Sequence, residues 1–142
     1  MSRTVFALAL FAALTLSAGA MADRVNFHAT LNGPTEVPPK DSKGTGDALA
    51  TLDTKTKTLT YTVTYSGLTG PATMGHFHGP AAPGANAGVV VPFKNPVDSP
   101  IVGTATLTDA QIADLMAGKW YVNVHTAANP GGEIRGQVMM AM

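Results

Sequence analysis

Two of the chain's four histidines stand two residues apart in "GHFHGPAAPG", residues 75–84 of 142. On an extended strand, residues i and i+2 point to the same side, so His76 and His78 would share a face while Phe77 takes the other. Two imidazoles on one face can converge on a single ion, a geometry that a helix does not offer at this separation. Phe77 is then the core residue of the three. Taken alone, the pair is a modest signal, because exposed histidine pairs also arise without a function.

A second group lies near the C-terminus. In "WYVNVHT", Trp120, Val122 and Val124 form an apolar face, which puts Tyr121, Asn123 and His125 on a polar one. "AANPGG" is a turn, and the returning "EIRGQV" buries Ile134 and Val138 while Glu133, Arg135 and Gln137 fall on the side of His125. The hairpin therefore offers an imidazole and a guanidinium on one face. In the plainer reading of the same residues, His125 bonds a neighbouring backbone group and Arg135 pairs with Glu133 or another surface acid.

The elements that would hold these residues are strands. "VNFHATL", "GDALATLD" and "TLTYTVTYSGL" alternate apolar and polar residues with period two, and "TKTKT" joins the last two as a hairpin. With the strand that carries His76 and His78, "GVVVPF", "WYVNVHT" and "EIRGQVM", they make seven of an expected seven to eight strands, with no room for crossover helices between most of them. The expected fold is all-β, an antiparallel sandwich or barrel of Greek-key type. One helix is expected in "LTDAQIADLMAGK", about residues 109–117. Thr108 and Gln111 form a capping box, Leu107 and Ile112 a hydrophobic staple, Gly118 the stop, and Ile112, Leu115 and Met116 the buried stripe. Residues 79–100, rich in Pro, Gly and Ala, are expected to form a long ordered loop around one short strand.

The first 22 residues carry Arg3, an apolar run from Val5 to Leu16 and small residues at Ala18, Ala20 and Ala22, the pattern of a secretory signal peptide. Its removal leaves a single domain, residues 23–142, that is periplasmic or secreted and has no membrane anchor. Without Arg3 the nine basic residues fall to eight against nine acidic ones, a formal charge of −1, which argues against a nucleic-acid partner. The absence of cysteine removes thiolate ligands, thiol catalysis and disulfides. Stability must come from core packing, with or without a bound metal, and any redox chemistry must use histidine, methionine or carboxylate. No Ser-His-Asp set, phosphate-cradling loop or carboxylate pair stands out, so hydrolysis is disfavoured.

"NFHATLNGPTEVPP", "MGHFHGPAAPG" and "WYVNVHTAANPGGEIRGQV" resemble the three signature blocks of the CHRD (chordin) domain family, over roughly residues 24–139. That resemblance implies an all-β domain and brings no settled activity with it. A looser similarity is to copper/zinc superoxide dismutases, in which an H-x-H strand and a distant histidine bind copper beside an arginine that attracts superoxide. His76, His78, His125 and Arg135 repeat that order here. The zinc loop, its bridging histidine and the disulfide are missing, so the similarity implies copper alone and no zinc.

Ligand preference agrees: three imidazoles suit copper or zinc, and divalent copper heads the affinity order. One copper ion on His76, His78 and His125, with an open position beside Arg135, would suit a small anion such as superoxide, the guanidinium adding on the order of 1 kcal/mol of attraction. His28 lies on the polar face of its strand and is either a fourth ligand or a solvated side chain. Glu36 either orients a histidine or caps a turn before Pro38 and Pro39. The methionines of "VMMAM" either favour Cu(I), as in a copper carrier, or form a frayed terminus. The expected function is an exported copper-only superoxide dismutase. The alternative is a non-catalytic binding module or copper store, a reading that animal relatives which bind growth factors support. The oligomeric state, a homodimer included, is open.

Overall fold

The computed structural model describes residues 23–142. The expected signal peptide lies outside the described residues. Eight strands follow in chain order: β1 (Arg24–Asn32), β2 (Thr45–Asp53), β3 (Thr58–Ser66), β4 (Ala72–His78), β5 (Val89–Pro92), β6 (Ile101–Thr106), β7 (Trp120–Thr126) and β8 (Ile134–Met140). The one helix among the described residues, α1 (Asp109–Met116), lies between β6 and β7.

All pairings are antiparallel, in one sheet of order β5-β4-β7-β8-β1-β2-β3-β6. The sheet curls until its two ends meet. Tyr61 of β3 and Phe77 of β4, near opposite ends of that order, stand edge to face with centroids 5.2 Å apart, and Tyr61 also lies 5.0 Å from Phe93. The Tyr65 hydroxyl adds a tie, donating to the Val97 carbonyl at 2.7 Å. The result is a nearly closed barrel, as the period-two pattern implies. Its interior holds the inward residues of each strand, among them Phe27, Leu31, Leu52, Leu59, Val63, Phe77, Trp120 and Val122, all fully buried.

β6 is the strand that alternation did not announce. Its inward positions after Ile101 are Gly103 and Ala105, because the Tyr61 ring occupies the space beside Gly103, where even a Cβ would collide with the phenol. Small inward residues erase the apolar rhythm that marks a half-buried strand.

Helix α1 starts as its sequence specifies. Thr108 Oγ1 accepts from the Gln111 backbone N–H at 3.2 Å, and the Gln111 side chain accepts from the Thr108 N–H at 2.9 Å. Gly118 follows at φ +71°, the left-handed turn that ends the helix. Leu115 is buried and Ile112 packs against the core, but Met116 is 38% exposed, so the stripe is narrower than expected. With only eight residues over the barrel, the helix turns Met116 beyond the core's edge.

The outer face of β4, β7 and β8 departs from the expectation of a solvated polar face. Every residue of β7 is buried. The segment between β4 and β5 folds back over this face: Asn86 donates to the Val37 carbonyl at 3.3 Å, while the Ala81 carbonyl accepts from Gln137 at 2.9 Å. The β1–β2 connection reaches Asn123 through Glu36, and the β7–β8 turn reaches His125 through the Pro130 carbonyl.

Candidate metal centre

β4 and β7 are paired in a register that sets three rungs on the outer face: Met74 opposite His125, His76 opposite Asn123, and His78 opposite Tyr121. Cross-strand partners on one face have Cβ atoms about 4.5–5.5 Å apart, so the ladder itself brings the imidazoles together. One ligand nitrogen from each of His76, His78 and His125 lies within 4.8 Å of the other two. His76 Nδ1 and His125 Nε2 are 3.2 Å apart. That separation is an N–H···N hydrogen bond between the two rings, and it is also close to the spacing of about 3.3 Å between two ligands on a tetrahedral ion with bonds of 2.0–2.1 Å.

The hydrogen bonds fix which nitrogens face inward. His78 Nδ1 donates to the Ala87 carbonyl at 3.0 Å and His125 Nδ1 to the Pro130 carbonyl at 2.9 Å. A neutral imidazole has one N–H, so Nε2 of each ring presents a lone pair. Both Nε2 atoms lie 2.9 Å from Asn123 Oδ1, which is itself an acceptor. The amide nitrogen is engaged elsewhere, donating to Glu36 Oε1 at 3.4 Å. Turned over, the amide would donate to both Nε2 atoms and set its oxygen against Glu36, an arrangement that requires Glu36 to be protonated, the direction in which burial moves it. With the amide oxygen inward instead, the cluster lacks a positive centre. Protons are a poor source of one, because burial pushes all three histidines below their ordinary pKa, His76 to about 4 with the neighbouring His125 and His78 adding to the effect. A metal ion satisfies all the inward lone pairs at once, and the donor set, imidazole with an amide oxygen beside it, fits copper or zinc.

Further residues hold this set in place. Tyr121 stacks on His78 with centroids 4.7 Å apart and planes 5° from parallel, and its hydroxyl donates to the Ala87 carbonyl at 3.1 Å. The Arg135 guanidinium lies 3.5 Å from the Tyr121 centroid. Because β7 runs between β4 and β8, Tyr121 separates His78 from Arg135. Arg135 is 1% exposed, and its donors go to Asn86 Oδ1 at 2.7 Å and to the Ala85 carbonyl. Glu36 is buried, which raises its pKa against the opposing effects of the Asn123 hydrogen bond and the Arg135 charge. Gly132, at φ +122°, passes so close to this pair that a Cβ would overlap Glu36 Oε1 and come within 2.6 Å of Asn123 Nδ2.

The profile of the CHRD domain family matches residues 27–138, most of the chain. The protein belongs to the CHRD domain family. No curated protein and no solved structure gives a match to this CHRD chain.

Within the CHRD domain, the three histidines singled out by spacing are the three that meet. His28 is not among them: it is exposed on β1 and lies 3.4 Å from Asp47. Glu36 reaches the histidines only through Asn123. Arg135 does not pair with Glu133, whose carboxylate instead accepts from Ser42, Thr69, Thr126 and Asn129. Met139, Met140 and Met142 are exposed near the C-terminus, away from the histidine rungs. Asn123 is the residue that spacing left without a role. Its place two residues before His125 on the same face was the available sign, but only the β4–β7 register shows that it stands opposite His76.

Proposed function

We propose that this CHRD domain is an exported copper protein that holds one copper ion on His76, His78 and His125 and uses it to dismutate superoxide to oxygen and hydrogen peroxide. The convergence of inward lone pairs on Asn123 Oδ1 carries the metal-binding part of this reading. A copper ion there supplies an electron acceptor and donor, Cu(II) and Cu(I), for two successive superoxide anions. The chain's own residues prepare the place. Backbone carbonyls of Ala87 and Pro130 hold two imidazoles in the ligating tautomer, and Asn123, fixed by Glu36, sets the angle between them. His76 is the most accessible of the three, so the anion's approach is on its side. Arg135 acts through its field from behind Tyr121, since its own donors are taken.

That same engagement of Arg135 favours a second reading, in which the ion is stored and the guanidinium simply ties the covering loop down. The test is the rate of superoxide loss with copper-loaded protein. A dismutase should approach the diffusional ceiling of about 10⁸–10⁹ M⁻¹s⁻¹. A store should barely exceed buffer. Electron paramagnetic resonance of the Cu(II) protein should show nitrogen hyperfine structure that His76→Ala and His125→Ala change; a spectrum without it removes the site itself.

A further inference from the structure

One side chain on the histidine face has no part in what has been described. Met74 precedes His76 by two residues on β4, so it projects from the same outer face, and it stands directly opposite His125 across the ladder. It is thus a neighbour of two of the three imidazoles, one along the strand and one across it. The inward alternates on β4, Gly75 and Phe77, are buried, whereas Met74 is 42% exposed. From Met74 onward, beyond the register shift at Ala72–Met74, the strand's outward residues are Met74 and the two histidines. His76, two residues along the strand, is the least covered of the three histidines.

We infer that Met74 is a thioether ligand for the reduced ion, closing the open side of the His76/His78/His125 site when it holds Cu(I). The inference rests on the copper reading above and adds a preference between oxidation states. Thioether sulfur is a soft donor that suits Cu(I) and does little for Zn(II), which the three imidazoles already satisfy. A methionine's rotatable bonds let sulfur swing toward the metal or away from it without moving the strand. The rung pairing supplies the reach: the Met74 and His125 Cβ atoms are about 5 Å apart, within the span of a methionine side chain. Because the same residue borders solvent, it is also the first donor that an incoming Cu(I) ion meets.

The test compares wild type with Met74→Leu, which keeps volume and apolarity while removing sulfur. Cu(I) affinity is measured by competition with a Cu(I) chelator under anaerobic reducing conditions, and Zn(II) affinity by competition with a zinc chelator. Wild type should bind Cu(I) about tenfold more tightly than Met74→Leu, with Zn(II) affinity equal within twofold. X-ray absorption of the Cu(I) protein should show one sulfur neighbour that Met74→Leu loses. If both proteins bind Cu(I) equally and no sulfur is seen, Met74 is not a ligand although the three-histidine site stands. If wild type binds neither metal, as His125→Ala is expected to behave, the site itself is wrong. A sulfur neighbour that persists in Met74→Leu belongs to another methionine and overturns the inference.

Discussion

Replacing Glu133 with Gln should weaken the fold by an amount that depends on pH in a defined way. Glu133 is fully buried, with 0% exposure, and belongs to no ion pair found among the described residues. Burial by itself would raise its pKa. The donors turned toward it prevail: the Thr69 hydroxyl and backbone N–H, the Thr126 hydroxyl at 2.8 Å and the Asn129 amide at 2.9 Å hold its pKa at about 2 against an ordinary 4.5. At about 1.4 kcal/mol per pH unit, the gap is worth about 3 kcal/mol of stability at neutral pH. Because the folded pKa is the lower one, this stability is complete above about 4.5 and is lost as pH falls toward 2. Glutamine resembles the protonated acid, so Glu133→Gln should lose about 3 kcal/mol at pH 7 and only about 2 kcal/mol at pH 3.5. Urea unfolding of the metal-free proteins at both pH values measures this, and acid effects common to both chains cancel in the difference. A loss that is equal at the two pH values, or under about 1 kcal/mol at pH 7, would refute the assignment of the charge to this cage. Glu133 also anchors the turn that carries the Pro130 carbonyl, so metal affinity should fall in the same variant.

Gly132→Ala should cost about 1–3 kcal/mol and loosen metal binding, because it forces a side chain into a left-handed backbone and onto the Glu36–Asn123 pair; thermal unfolding with and without metal reports both effects. Metal added to 100 times its dissociation constant should raise wild-type stability by about 2.7 kcal/mol and leave His125→Ala unchanged in calorimetry. Acid should destabilise the metal-free protein early. His76 titrates near 4 in the folded state against an ordinary 6.5, so the unfolded chain takes up the proton first; the urea midpoint should hold above about 6.5 and decline as pH falls toward 4. Thr108→Ala should lower stability by about 1 kcal/mol through loss of the helix cap, with no change in metal affinity.

The features visible in the sequence are those that local periodicity controls. Alternation in β1, β2, β3 and β7 marks strands because their inward residues are large and apolar, and the Thr108–Gln111 box marks a helix because capping is settled within one turn. β6 escaped because Tyr61, from another strand, fills the space that its own side chains would occupy. The three histidines were legible as a set, two from their spacing on one strand and the third from its place on a polar hairpin face. The burial of that face was not. Whether a polar strand face meets water or a folded-back loop is decided by contacts between residues far apart in the chain, such as Asn86 with Val37 and Arg135 with Ala85. The same distance hid the Glu36–Asn123 link, and it gave Arg135 an apparent freedom that the structure does not grant.

The histidine rungs stand on one side of β4 and β7, and Phe77, Val122 and Val124 stand on the other. Stability and chemistry therefore draw on separate residues of the same strands. The three imidazoles lie outside the barrel's apolar interior, and the covering loops orient His78 and His125 without forming part of the β4–β7 register. A metal site built on this face could therefore be gained, retuned or lost without refolding a CHRD barrel. Two members of the family can then share every structural feature of the barrel and differ completely in what they do, so membership alone is no guide to activity. The residues at the six positions occupied here by Met74, His76, His78, Tyr121, Asn123 and His125 are the ones to inspect.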